Sequence, residues 1–193
     1  MVTPVDPNAI LLTGENSFLR LGQGAGEELT SRASFWRVWL SPVGPGHALF
    51  LESELTGGRV QVYADNIALA RWLQQEIEHT IHAPNGDLSL PVVEAEFSRS
   101  GDTLHFWTED IVSPNSDVRL TWYDFMEPFV IRPTGQAASS GTLSVYSLFV
   151  PARGARLTID GQQASGRPQP EKVDDHDGSS SSLALSETWL RER

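Results

Sequence analysis

Along most of this 193-residue chain, apolar and polar side chains exchange places every second residue. That period is the mark of strands with one buried face. Such segments run over 17–22, 33–41, 48–55, 59–63, 92–98, 103–109, 118–125, 129–132, 142–150 and 156–159. Turn-forming clusters separate them: Thr56-Gly57-Gly58, Ser100-Gly101-Asp102, Pro114-Asn115-Ser116, Pro133-Thr134-Gly135 and Arg153-Gly154. One stretch breaks the alternation. Ile67, Leu69, Ala70, Leu73, Ile77 and Ile81 share a helix side, with Asp65 or Asn66 as N-cap and Pro84-Asn85-Gly86 as the stop after His82.

An α/β fold would place a helix between most strands. The pattern instead predicts an all-β fold: a barrel or two-sheet sandwich of at least about eight strands, with one long helix packed on it or plugging one end. In general architecture this resembles lipocalin-like barrels, a likeness that sets no function. The length suits a single β-rich domain over 1–193. Residues 1–13, with Pro4 and Pro7, read as a leader that joins the fold late. Residues 162–182 are rich in Gly, Ser, Pro, Asp and Gln without apolar periodicity, and are expected to form a flexible polar loop without a functional role. Residues 183–190 are apolar again, a returning strand or a short C-terminal helix.

Composition removes several chemistries. The chain has no cysteine, so thiolate nucleophiles and cysteine-held metals are excluded. Its one lysine, Lys172, lies in the polar stretch and is no candidate for a Schiff base or a phosphate loop. A net charge of −11 without a basic cluster argues against nucleic acid as a partner. No apolar run reaches the ~18 residues of a membrane-spanning helix and the N-terminus has no basic flank, so no membrane association and a cytoplasmic location are expected. No cofactor motif is present: Gly22-Gln23-Gly24-Ala25-Gly26-Glu27 lacks a following lysine, and Glu27 and Glu28 would repel phosphate. No pattern fixes an oligomeric state.

Two neighbouring segments carry the best candidate chemistry. In Thr103–Glu109 and Val118–Phe125, strand geometry would align His105, Trp107 and Glu109 on one face and Trp122 and Asp124 on one face of the next strand. His105 with Glu109 or Asp124 would then serve general acid–base chemistry, with the tryptophans excluding water. The opposite face, Leu104, Phe106 and Thr108, is also apolar, so either could point inward. Trp36, Trp107, Trp122 and Tyr146 are the expected walls of a ligand cavity. Glu52 with Glu54, and Glu94 with Glu96, share strand faces as carboxylate pairs but leave the better core to the opposite faces. His79 and His82 lie on adjacent helical turns near a helix C-terminus, which is as well explained by the dipole as by a metal. The expected function is binding of an apolar or aromatic small molecule. The alternatives are a cofactor-independent lyase, hydrolase or isomerase built on His105, and a protein-interaction or structural module.

Overall fold

The computed structural model describes residues 9–24, 26–131 and 143–191. Most of the proline-bearing leader, the turn at Pro133-Thr134-Gly135 and Ala25 of the glycine-rich loop lie outside the described residues. The strands are β1 (Ile10–Gly22), β2 (Leu29–Leu40), β3 (Gly46–Ser53), β4 (Gln61–Ala64), β5 (Val92–Glu94), β6 (Glu96–Asp102), β7 (Phe106–Val112), β8 (Asp117–Phe125), β9 (Phe129–Ile131), β10 (Leu143–Ile159), β11 (Gln162–Gln163), β12 (Pro170–Val173), β13 (His176–Ser179) and β14 (Ser182–Arg191).

Ten of these strands hydrogen-bond in the order β5-β4-β3-β2-β1-β14-β10-β8-β7-β6. The two ends of that order, β5 and β6, are neighbours in the chain, with only Ala95 between them. Chain continuity therefore draws the sheet edges together, and the sheet curls into a nearly closed barrel, as expected from the turn spacing. β4 and β5 pair in parallel because the helix carries the chain from one to the other.

That helix lies on the outside of the barrel wall. Asn66 Oδ1 accepts a hydrogen bond from the Leu69 backbone N–H at 3.1 Å and caps α1 (Ile67–Leu73). A wider π-helical turn over Gln74–Glu78 follows, then one α turn, α2 (His79–Ile81). Apolar residues four apart drift around a helix of 3.6 residues per turn. The wide turn takes up this drift, so that Leu69, Leu73 and Ile77 all stay buried, and it buries Gln74 and Glu78 with them.

The barrel wall is apolar on both faces where the helix covers it. Inside the barrel, Leu19, Phe35, Leu49, Leu51, Trp122 and Leu157 pack together. Between wall and helix, Trp36, Phe50, Val62, Leu69, Leu73 and Trp189 form a second core. Strands covered on both faces lose their clean alternation, as β2 and β3 do.

Two stretches differ from expectation. Arg153-Gly154 is not a turn, because β10 runs through it. Its glycine lets the strand pass the Tyr123 ring, where a Cβ would sit 2.1 Å from a ring carbon. Residues 162–182, expected as a flexible loop, contain β11 and the β12–β13 hairpin, and the serines at their end are buried. Ser179 Oγ donates to the Ala152 carbonyl at 2.6 Å and Ser180 Oγ to the Arg20 carbonyl at 2.9 Å. Hydroxyls satisfied by backbone carbonyls can be buried without an apolar side chain, which composition does not reveal.

Gly14 makes a similar close approach. A Cβ there would lie 2.2 Å from the Arg37 carbonyl oxygen, a backbone atom held in the β1–β2 ladder. Gly14→Ala is expected to destabilise the fold by about 1–3 kcal/mol, the usual cost of overpacking. An unchanged urea midpoint would show that the two strands separate freely at this point.

Candidate functional site

The β7–β8 register sets Trp107 opposite Trp122, so these two and Glu109 share the inner face of the barrel. Trp122 is fully buried and its indole donates to the Phe18 carbonyl at 3.0 Å. Glu109 is surrounded by donors. It accepts from Arg99 Nε at 2.6 Å, from Arg37 at 3.2 Å and from the Trp107 indole at 3.0 Å. Arg99 also bonds Glu15, and its guanidinium lies 4.3 Å from the Trp107 ring centroid. Glu15, Arg37, Arg99 and Glu109 thus form a ring of alternating charge, with the carboxylates buried and the guanidinium groups half-buried. A carboxylate held in this way is a structural anchor and leaves no free base.

His105 and Asp124 do not join them. The Asp102 carboxylate accepts from the backbone N–H groups of Leu104 at 2.8 Å and His105 at 2.7 Å, and pairs with His105 Nδ1 at 3.1 Å. This side-chain-built turn moves the hairpin tip to residues 103–105 and delays β7 until Phe106. His105 therefore stands in solvent, with its side chain 77% exposed, instead of lining a cavity. Asp124 adopts a φ of 56° at the end of β8 and faces solvent 3.7 Å from Arg153. The histidine–carboxylate pair expected inside the barrel is not formed.

The remaining candidates are dispersed. Trp36 is buried on the other face of the wall, under the helix. Tyr146 alternates with Val145 and Ser147, which line a helix-side cleft, so it turns to the opposite face. Glu52 pairs with His82 Nε2 at 2.7 Å, while Glu54 accepts from the Ser165 N–H at 2.7 Å; Glu94 and Glu96 are exposed. Among the described residues, no group of three His, Asp or Glu side chains is placed to hold a metal. No helix among them is long and apolar enough to cross a membrane.

The site with unspent chemistry lies outside the barrel, in a cleft of about 210 Å³ between the end of the helix and strands β1, β2, β10 and β14. Its walls are apolar: Phe18, Ile81, Ile131, Val145, Phe149 and Trp189. Its polar groups include Asn16, Ser34, Asn85, Ser147 and Glu187. Larger hollows, such as the 420 Å³ groove at Ser98, Asp110, Arg119 and Thr158, contain no buried carboxyl group.

A β-bulge aims Glu187 into the cleft. Tyr146 pairs with Thr188 and Leu148 with Leu185, so Ser186 and Glu187 together oppose Ser147. Ser186 takes the left-handed conformation, φ 54°, and the side chains beyond it change faces. Leu183 and Leu185 enter the barrel, whereas Glu187 and Trp189 turn toward the helix. Strict alternation would have put Glu187 inside with the leucines.

Glu187 Oε1 accepts from the Trp189 indole at 2.8 Å. Burial pushes its carboxyl up to about 8; the indole and the nearby Ser147 hydroxyl work against this, and the charge of Glu78 adds to it. Glu78 comes from the π-helical turn and is fully buried. Its Oε1 accepts from Ser34 and Trp36, each at 2.5 Å, and its Oε2 accepts from Asn85. Burial raises this carboxyl too, while the three donors favour its charged form. Three donors thus meet the Glu78 carboxyl and one indole meets that of Glu187, so the two neighbouring buried carboxyls have unlike surroundings.

Sequence reasoning missed both residues. One local signal was present: Glu187 and Trp189 sit two apart with an indole–carboxylate bond, as Trp107 and Glu109 do. Comparison of the chain with protein-family models, with curated proteins and with solved structures returned no match.

Proposed function

We propose that this protein binds a small, largely apolar molecule in the helix-side cleft, with the polar end of the ligand at Glu187 and Ser147. The observation that carries this reading is Ser147. It is 3% exposed and lines the cleft, and its hydroxyl lies near the Glu187 carboxyl without reaching hydrogen-bond geometry to any group among the described residues. A buried hydroxyl without a partner costs about 1–3 kcal/mol, and a ligand group would relieve that cost. The apolar walls supply the affinity and the few polar groups the orientation. The volume is below the roughly 300–1,000 Å³ that hold drug-sized ligands, so the ligand is small.

Benzyl alcohol is a suitable probe. Titrated into ¹⁵N-labelled protein, it should shift the Trp189 indole resonance saturably and leave the Trp122 indole, inside the barrel, unmoved. Ile81→Trp, at the half-open mouth of the cleft, should abolish the shift without unfolding the protein. Shifts scattered over all the tryptophans, or unaffected by this substitution, would refute the assignment.

A second reading, a cofactor-independent lyase, hydrolase or isomerase, is favoured by Glu187 alone. A carboxyl that stays protonated to about pH 8 in an apolar cleft can donate a proton to a bound molecule. The chemistry then belongs to Glu187 and not to His105. Catalysis would change the mass or connectivity of the bound molecule, whereas simple binding returns it intact.

A further inference from the structure

We propose that the polar end of the ligand is a primary ammonium group, so that the cleft is a site for small amines with an apolar body. This rests on the cleft-binding reading above and adds the chemical class of the head group.

The protein treats its two pairs of buried carboxyl groups differently. Inside the barrel, Glu15 and Glu109 each meet both Arg37 and Arg99. On the helix side, no arginine, lysine or histidine among the described residues lies within ion-pair distance of Glu78 or Glu187. One chain has thus neutralised one buried pair of carboxyls with guanidinium groups and left the other without a cation. One member of the unneutralised pair, Glu187, lines a cleft.

The hydrogen-bonding inventory points the same way. Asn16 directs its amide nitrogen to Ser34 Oγ at 2.9 Å and to the Phe35 carbonyl at 3.5 Å, and its side-chain oxygen makes no hydrogen bond among the described residues. Ser147 Oγ, near the Glu187 carboxyl, is also without a partner in hydrogen-bond geometry, and the one well-formed hydrogen bond to Glu187 comes from Trp189. Three acceptors therefore line one cleft. A primary ammonium carries three N–H donors and no acceptor, and matches them one for one. A hydroxyl could satisfy one of them as donor, and a carboxylate ligand would meet the Glu187 carboxyl.

The other charged groups at the cleft do not compete for this place. His82 is bonded to Glu52 at 2.7 Å. Arg20 is 3.8 Å from Glu171 and lies 4.9 Å from the Phe18 ring centroid. Arg32 is its cross-strand partner. These two guanidinium groups would repel a cation from their part of the cleft, which leaves the Glu187 end for the ammonium and the apolar walls for the body of the ligand.

Binding of an ammonium requires the carboxyl group it meets to be ionised, so it should expel one proton from the cleft. Isothermal titration calorimetry with benzylamine and with benzyl alcohol near pH 7, each run in phosphate and in Tris, reads both affinity and protons released. Benzylamine is expected to bind at least about tenfold tighter than benzyl alcohol, the scale of a charge-assisted hydrogen bond. It should release close to one proton, and its affinity should rise from pH 6 to pH 8. Glu187→Gln should remove the preference and the proton release together, and Ser147→Ala should weaken the amine more than the alcohol.

If benzyl alcohol binds in a manner blocked by Ile81→Trp and benzylamine binds no tighter, the ammonium assignment fails and the cleft stands. If neither binds, both fail. Benzylamine binding that survives Ile81→Trp is adventitious and also overturns the proposal.

Discussion

Arg99→Leu is expected to destabilise this protein by about 3–5 kcal/mol, a large part of the total stability of a typical domain. Arg99 bridges Glu15 on β1 and Glu109 on β7, which the sheet order places far apart along the wall but the curl brings together inside the barrel. Without it, two carboxylates that are 8% and 1% exposed share only Arg37. The loss would come from leaving charge buried without a partner, not from the intrinsic strength of the ion pair. Replacing Glu15, Arg37, Arg99 and Glu109 together with apolar residues of similar volume is therefore expected to be close to neutral. Equilibrium urea unfolding of the two variants tests this. A loss below about 1 kcal/mol for Arg99→Leu, the range of surface pairs, would mean that water reaches the ring.

Glu187→Gln should have the opposite sign, and its size should depend on pH. An unfolded chain releases a glutamate proton near 4.3, whereas the folded protein holds that of Glu187 to about 8. Between those values the folded state binds more protons than the unfolded state, so stability falls as pH rises through the window. One such group contributes a slope of at most about 1.4 kcal/mol per pH unit. Glutamine keeps the shape and cannot ionise, so this share of the slope disappears, and the variant should be the more stable protein at pH 8. Glu78 is present in both proteins, and the difference between them reports Glu187 together with its coupling to Glu78. Parallel stability profiles from pH 5 to pH 8 would show that the Glu187 carboxyl is ionised throughout.

These two predictions mark two uses of buried charge. In the ring in the barrel each carboxylate meets two guanidinium groups, and the ring holds opposite strands together. The pair under the helix is only half satisfied, and a stability cost concentrated beside a cleft is the pattern expected of a functional site.

Much of the fold was legible in the chain. Alternation marks the strands, turn clusters mark most of their ends, and the cap at Asn66 with the four-residue repeat marks the helix. These signals are local, and local geometry reads them out directly. The strand faces were harder, because β2 and β3 are buried from both sides and carry apolar residues on each.

The site was not legible, for reasons that belong to particular residues. Asp102 wraps its carboxylate around the next three residues and takes His105 out of the strand. Glu187 changes faces at a bulge, and a one-residue change of register exchanges inside for outside. Glu78 is buried because a π-helical turn rotates it under the helix, where Ser34, Trp36 and Asn85 meet its carboxylate. The amino-acid sequence by itself determined the class of fold and the helix, since each depends on neighbours within a few positions, and its lack of cysteine rules out thiolate chemistry. Which carboxyls meet arginines and which meet a cleft was decided only by the tertiary structure, because those partners are distant along the chain and a single bulge or turn resets which face each side chain joins.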